Sequence, residues 1–181
     1  AYGDGGRDKR PYENLLTLKG PTVSFAATDR GKALAGTTIV DGPGGAAFVT
    51  PNGRTACALD GESVTCEVDS PSWQPTLSRP AECDGRDYDG TLVLKGGLAS
   101  YGCAGGAAFR AASGSSENDW VRQGQDPSIR SPKYGELAGV AYGRTLTTGS
   151  VSCAVATSGV TCSDVMTGHG FTVSGDAARI F

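Results

Sequence analysis

The chain has one histidine, His169, among its 181 residues. A serine or cysteine hydrolase needs a histidine base beside its nucleophile, and no Gly-x-Ser-x-Gly motif accompanies this one. Zinc sites usually take close cysteine pairs such as Cys-x2-Cys, which are also missing. We interpret His169, between Gly168 and Gly170, as a tight entry into a strand with its imidazole bonded to the backbone. We therefore expect no catalytic residue, no metal and no cofactor.

Long apolar runs are missing too. No stretch approaches the roughly 20 residues that cross a bilayer, and no signal peptide opens the chain. The net charge is -3, with 16 basic and 19 acidic residues intermixed, so no basic stripe is present for nucleic acid. The first residue, Ala1, fits a mature product whose export signal has been removed. A trimmed chain, or one with a lipid-bearing cysteine upstream of Ala1, would begin in the same way.

Glycine and proline are abundant, with 28 and 9 residues, and they interrupt any long helical period. Short runs rich in valine, threonine and aromatic residues lie between them, which is typical of strands. The pattern predicts a single all-β domain, a sandwich or barrel-like structure held by disulfides. The predicted strands are residues 23–27, 37–40, 47–49, 55–59, 63–68, 91–95, 98–103, 145–146, 150–155, 159–163 and 170–174, with Ile180 and Phe181 tucked against the domain.

One sequence motif occurs twice, at Gly53 to Cys66 and at Gly149 to Cys162: Gly-x3-Cys-Ala-(Leu or Val)-x4-Val-Thr-Cys. Eight residues between the cysteines suit two antiparallel strands joined by a tight turn. A turn about Gly61 and Glu62 places Leu59 opposite Val64 and Cys57 opposite Cys66, within the reach of a disulfide. The other face of this hairpin should then show Ala58, Thr65 and Glu67 to water.

The same residue spacing in the second copy predicts a hairpin with Val155 opposite Val160 and Cys153 opposite Cys162. Elimination leaves Cys83 to pair with Cys103. Six cysteines allow fifteen connectivities, and sequence alone does not exclude the other fourteen. An even set of thiols with no metal-binding pattern favours an oxidising compartment.

The two cysteine hairpins are accompanied by four further motifs: Phe48-Val-Thr-Pro-Asn-Gly53, Trp73-x-Pro75, Tyr142-Gly143 and Thr167-Gly-His-Gly-Phe171. Through them residues 48–181 resemble a family of small exported or lipid-anchored actinobacterial proteins with no established function. The resemblance implies an exported protein and supplies no catalytic residue. In that family an acidic residue often follows the equivalent of Cys103, whereas Ala104, Gly105 and Gly106 follow it here.

The resemblance leaves residues 1–47 as an N-terminal extension before the β domain of 48–181. This extension contains no cysteine and mixes apolar side chains with a flexible start, so it is either a docking arm or the completion of a sheet. A polar stretch, residues 111–135, is longer than an ordinary connection and is either a binding loop or poorly ordered. The side chains that we expect to bind a partner lie in these two segments: Leu15, Leu16, Phe25, Trp120, Val121 and Ile129.

Two other features invite a functional interpretation. Glu82, Asp84, Asp87 and Asp89 suggest a calcium loop, but the EF-hand spacing fails, so a solvated acidic turn is favoured. Trp73, near two prolines, is expected to cover the core, whereas Trp120 could stack on a sugar.

These observations favour a non-catalytic secreted or cell-envelope accessory protein that binds another envelope protein. A glycan or small-molecule binding module that uses Trp120 is the second hypothesis, and a secreted hydrolase is a distant third.

Overall fold

The computed structural model describes residues 37–39, 45–78, 80–85, 90–113 and 128–181, all within one compact unit, Gly36–Phe181. The described residues form thirteen strands, a 3-10 helix at Ala81–Cys83 and helix α1 at Ala107–Ser113. The strands are β1 (Thr37–Ile39), β2 (Ala46–Val49), β3 (Thr55–Leu59), β4 (Ser63–Val68), β5 (Thr91–Lys95), β6 (Leu98–Tyr101), β7 (Ser128–Ser131), β8 (Gly135–Ala138), β9 (Thr145–Thr148), β10 (Val151–Ala156), β11 (Gly159–Asp164), β12 (Gly170–Val173) and β13 (Ala178–Ile180).

Two sheets pack face to face around one core, which confirms the predicted all-β class and selects a sandwich. The first sheet has the order β1-β9-β10-β11-β12-β13, and the second has the order β2-β3-β4-β5-β6. Neighbouring strands are antiparallel except β1, which runs parallel to β9. The β7-β8 hairpin adjoins the second sheet through a bridge between Val49 and Gly139, where the Val140 N–H donates to the Val49 carbonyl (3.0 Å).

The repeated sequence motif forms a repeated structure. Each sheet has one row of four side chains that point into the core. Each row crosses four adjacent strands at the level of a disulfide, and both rows are buried in the same core. The rows are Phe48-Cys57-Cys66-Leu92 and Leu146-Cys153-Cys162-Phe171. The two disulfides touch across the core, since Cys66 Sγ lies 3.7 Å from Cys162 Sγ.

The structure contains the two disulfides that the hairpin spacing favours, Cys57–Cys66 and Cys153–Cys162, and the third that elimination left, Cys83–Cys103. In both hairpins the paired cysteines have Cα atoms 4.1 Å apart, as directly opposed residues do. Leu59 lies opposite Val64 and Val155 opposite Val160, so the predicted registers are confirmed.

The expectation that Glu67 faces water is wrong. Helix α1 and the β7-β8 hairpin cover the outer face of the second sheet and build a second core there, around Val49, Ala56 and Phe109. Glu67 is 5% exposed beneath this layer. Its carboxylate accepts the backbone N–H groups of Ala107 (3.1 Å) and Ala108 (2.9 Å), so it caps the helix from a strand forty residues away.

The stretch 111–135 is therefore not one loop. Its first residues belong to α1, and Ile129 lies in β7, half-buried against the second core. Residues 114–127 lie outside the described part of the chain.

Trp73 covers the end of the main core. Its ring packs against Tyr101 with centroids 6.1 Å apart, and its Nε1–H donates to the Ser174 carbonyl (2.8 Å). Ile180 also packs on this core, as predicted. Phe181 does not tuck in, because its side chain is 41% exposed although its backbone pairs with Gly170.

Candidate functional site

Four chain reversals meet at one end of the sandwich, which we name the turn end. They are the β3-β4 turn at residues 60–62, the β5-β6 turn at 96–97, the β9-β10 turn at 149–150 and the loop 165–169. The Ser150 N–H donates to the Gly61 carbonyl (2.9 Å), and the Thr167 hydroxyl donates to the Gly97 carbonyl (3.4 Å). These bonds join turns of one sheet to turns of the other, so the turn end is a continuous surface.

Glycine permits this close approach. Gly149 has a φ of 56°, in the left-handed region, and a Cβ built on it would collide with the Gly61 carbonyl. Only a residue without a side chain brings these two turns together. A shallow cavity of about 440 Å³ remains between the turns, and its walls are mostly backbone and small side chains: Gly61, Glu62, Gly96, Gly97, Gly149, Ser150, Asp164, Met166 and Thr167.

Asp164 fixes the loop 165–169. Its Oδ1 accepts the backbone N–H groups of Met166 (2.8 Å) and Thr167 (2.9 Å), and its Oδ2 accepts the Ser150 hydroxyl (3.1 Å). The Val165 N–H donates to the Ser150 carbonyl (2.7 Å). The loop backbone is thus held at several points.

Large apolar side chains on this loop and on the neighbouring β5-β6 turn are exposed to solvent. Met166 is 82% exposed, Leu98 is 69% exposed and Val165 is 57% exposed. Leu98 follows Gly97 and Met166 precedes Thr167, so the contact between Gly97 and Thr167 places the two exposed side chains on neighbouring turns. Several large apolar side chains exposed on neighbouring turns make this end of the sandwich a candidate interaction site.

The bonds to Asp164 predict a pH dependence of stability. The Thr167 N–H, and then the Met166 N–H, hold the pKa of Asp164 below its ordinary value of 3.8. The folded state therefore favours the ionised form, and this stabilisation is present above pH 3.8 and lost as the pH falls through the folded pKa. Asp164→Asn keeps the acceptor oxygen but removes the charge, so its stability deficit relative to wild type should shrink as the pH is lowered from 7 toward 3.

Urea unfolding of both proteins across this pH range measures the difference. Asp176→Asn is the matched control, because that carboxylate accepts a long bond (3.5 Å) from the Ser72 hydroxyl in place of these backbone N–H groups. If the stability deficit of Asp164→Asn is the same at every pH, the ionised Asp164 carboxylate is not the source of the stabilisation.

A second concave surface lies at the opposite end of β4, beside the helix, and we name it the α1 cleft. Its volume is about 530 Å³. It is lined by the end of β4, the 104–106 loop, α1 and the β7-β8 turn, among them Glu67, Asp69, Arg110, Lys133 and Tyr134. Tyr134 stacks on Phe109, with ring centroids 5.1 Å apart and planes 10° apart, so the phenol has a fixed position.

His169 is exposed on the turn end, and its imidazole forms no hydrogen bond with another described residue. Its backbone makes the contacts instead, because its N–H donates to the Thr167 hydroxyl and its carbonyl accepts the Asp164 N–H. The predicted bond between imidazole and backbone is therefore absent, although the tight entry into β12 is present.

The other candidate residues fall in different places. Ile129 contributes to the second core, so its side chain is not a free anchor. Asp84 is exposed after the 3-10 helix. Glu82 lies in the 3-10 helix Ala81–Cys83. The remaining predicted binding or ligand residues lie outside the described part of the chain: Leu15, Leu16, Phe25, Asp87, Asp89, Trp120 and Val121.

Within the described residues, one group of side chains is close enough together to hold a metal ion, namely Cys57, Cys66 and Cys162. All three sulfurs are in disulfides, so they offer no thiolate ligand. No described helix is long and apolar enough to span a membrane. No family model matches the chain, and neither a curated protein nor a solved structure is significantly similar to it.

Proposed function

We propose that this chain is an exported, non-catalytic binding domain that docks onto another protein of the cell envelope through the turn end. The observation that carries the proposal is the presentation of Met166. Its backbone N–H is bonded to Asp164, while its side chain is 82% exposed. An exposed apolar side chain on a fixed backbone is prepared to bind, because the backbone has little conformational entropy left to lose.

The composition of the turn end suits a protein partner. Met166 and Leu98 can enter apolar pockets of a partner, and methionine adapts its shape to the surface that it meets. The backbone-lined cavity next to Met166 can receive an apolar side chain in return. Asp60 and Glu62 lie exposed on the adjoining β3-β4 turn, so a partner surface with basic residues around an apolar centre would be complementary.

Export is supported by the three disulfides, which are typical of proteins that fold in an oxidising environment. Two of them lie at the centre of the core with all four cysteines fully buried, so the fold depends on their formation. The resemblance to exported actinobacterial proteins points in the same direction. Attachment to the envelope, by a lipid anchor or by the partner alone, belongs to this proposal.

Site-specific photocrosslinking tests the docking surface. A photoreactive phenylalanine analogue in place of Met166, in the full chain expressed in its native cells, should give one discrete adduct with an envelope protein after irradiation. Leu77 is the matched control position, because it is 58% exposed and follows Thr76, whose hydroxyl lies 3.5 Å from that of Tyr101 at the far end of β6. The same analogue at residue 77 should give no such adduct.

The double substitution Leu98→Asp, Met166→Asp should reduce capture of the crosslinked protein at least tenfold while the urea midpoint stays within experimental error. This expectation follows because exposed side chains contribute little to folding but central apolar contacts dominate binding. Equal labelling from positions 77 and 166 would contradict the docking surface. An adduct that consists of two copies of this chain would replace the envelope partner by a homodimer.

A further inference from the structure

Three hydrogen-bond donors line the α1 cleft, and two of them lie over Gly106. A Cβ built on Gly106 would lie 2.5 Å from the Tyr134 hydroxyl oxygen and 3.2 Å from Arg110 Nη1, so both groups lie directly over this glycine. Lys133 Nζ lies 5.0 Å from the centre of the Tyr134 ring. A guanidinium, an ammonium and a phenol therefore share one side of the cleft.

The two cations in this group have no carboxylate bonded to them. Neither Arg110 nor Lys133 forms an ion pair with any residue of the described chain. The Glu67 carboxylate lines the cleft, but its oxygens already accept the first N–H groups of α1. Asp69 lines the cleft wall and attracts Lys133 without forming an ion pair.

The charges of these side chains favour an anion between them. The hydrogen bond to Tyr134 raises the pKa of Lys133, which is charged at neutral pH, and the nearby positive charge of Arg110 opposes that rise. Two like charges around one hydroxyl repel each other, and an anion between them would convert this repulsion into two charge-assisted hydrogen bonds. The small 104–106 segment, Ala-Gly-Gly, leaves room for such a group against the backbone.

We propose that the α1 cleft is a binding site for an oxyanion group, a carboxylate, sulfate or phosphate, carried on a small polar molecule. Arg110 and Lys133 donate charged hydrogen bonds to the anion, and the Tyr134 hydroxyl donates a third. A volume of about 530 Å³ exceeds that of an inorganic ion and matches ordinary small-molecule sites. Asp69 is placed to accept a hydroxyl of the carrier molecule.

This site is independent of the docking surface, because β4 has the turn end at Ser63 and the cleft at Glu67. Changes in the cleft should therefore leave protein docking intact.

Titration of the full chain, followed by two-dimensional amide NMR at low salt, tests the proposal. The probes are inorganic phosphate, sodium sulfate, sodium acetate, sodium glucuronate and, as the neutral control, glucose. We expect saturable shifts of the Gly105 and Gly106 amides with at least one anion and none with glucose. Shifts with glucuronate and acetate identify a carboxylate carrier, shifts with phosphate or sulfate alone identify a tetrahedral anion, and both results support the site.

Arg110→Gln and Lys133→Gln should each weaken the binding about tenfold, since each removes one charged hydrogen bond. Tyr134→Phe should weaken it less. The matched control is Arg130→Gln, which removes another exposed arginine, from β7, that does not line the cleft. The proposal is overturned if no anion gives a saturable shift, or if Arg130→Gln weakens the binding as much as Arg110→Gln.

Discussion

Replacing Cys57, Cys66, Cys153 and Cys162 together by alanine is expected to unfold the chain at 25 °C. Each of the two disulfides links residues nine positions apart, and restriction of the unfolded chain by such a loop is worth about 2.5 kcal/mol. The loss of two bridges, about 5 kcal/mol, approaches the whole free energy of unfolding of a typical domain. The touching sulfurs also fill the centre of the core, so alanine leaves a cavity there as well.

Near-ultraviolet circular dichroism and urea titration measure this outcome. The matched control replaces Cys83 and Cys103, whose bridge lies outside the repeat. That variant should lose about 3 kcal/mol and remain folded. A cooperative unfolding transition in the fourfold variant, within about 2 kcal/mol of the wild type, would contradict the role assigned to the paired disulfides.

Glu67→Ala is expected to destabilise the protein by about 3 kcal/mol. It removes two hydrogen bonds from a buried carboxylate to the N-terminus of α1, each worth roughly 1.5 to 3 kcal/mol, and the two losses overlap because they share one group. Glu67→Gln keeps an acceptor oxygen without the charge and should lie between alanine and wild type. The free energy of unfolding in urea gives both values.

Glu62→Ala is the control, because Glu62 is an exposed glutamate at the opposite end of the same hairpin. Its effect should be within about 0.5 kcal/mol of zero. If Glu67→Ala costs no more than this control, the carboxylate does not hold the helix.

The hairpins were predictable because their geometry is local. Two strands and a tight turn fix which residues oppose each other, so the spacing of Cys57 and Cys66 and a turn at Gly61 and Glu62 together give their register. The same arithmetic in the second copy gives Cys153 opposite Cys162. The packing of the two sheets through these rows is not local, and no spacing in the chain encodes the contact between Cys66 and Cys162.

Helix α1 was not predicted from the sequence, because the contact that caps it is not local either. It has seven residues, begins after glycines and carries no acidic residue in its first turn. Its N-terminal N–H groups are satisfied by Glu67, forty positions earlier, so a scan for local capping residues does not find the partner. The alternation of side chains along β4 correctly places Glu67 on the outer face of the sheet. It does not show that helix α1 and the β7-β8 hairpin cover that face.

The turn end had a partial signal in the sequence. Asp164 precedes Met166 and Thr167 at the spacing at which an aspartate accepts backbone N–H groups two and three residues later. That pattern predicts a fixed turn in which Met166 has no strand neighbour to cover it. The proximity of Leu98 depends on the contact between the two sheets, which only the fold supplies.

Non-reducing peptide mapping of the protein recovered from outside its native cells tests the central claim most directly, namely that the chain works as an oxidised pair of hairpins. Trypsin should release residues 145–179 as a separate peptide with an internal disulfide, because no lysine or arginine lies between Arg144 and Arg179. Residues 55–86 should remain linked to residues 96–110 through Cys83 and Cys103, and cleavage after Glu62 should leave Cys57 bonded to Cys66. Free thiols, or a covalent link between residues 145–179 and 55–86, would contradict the account.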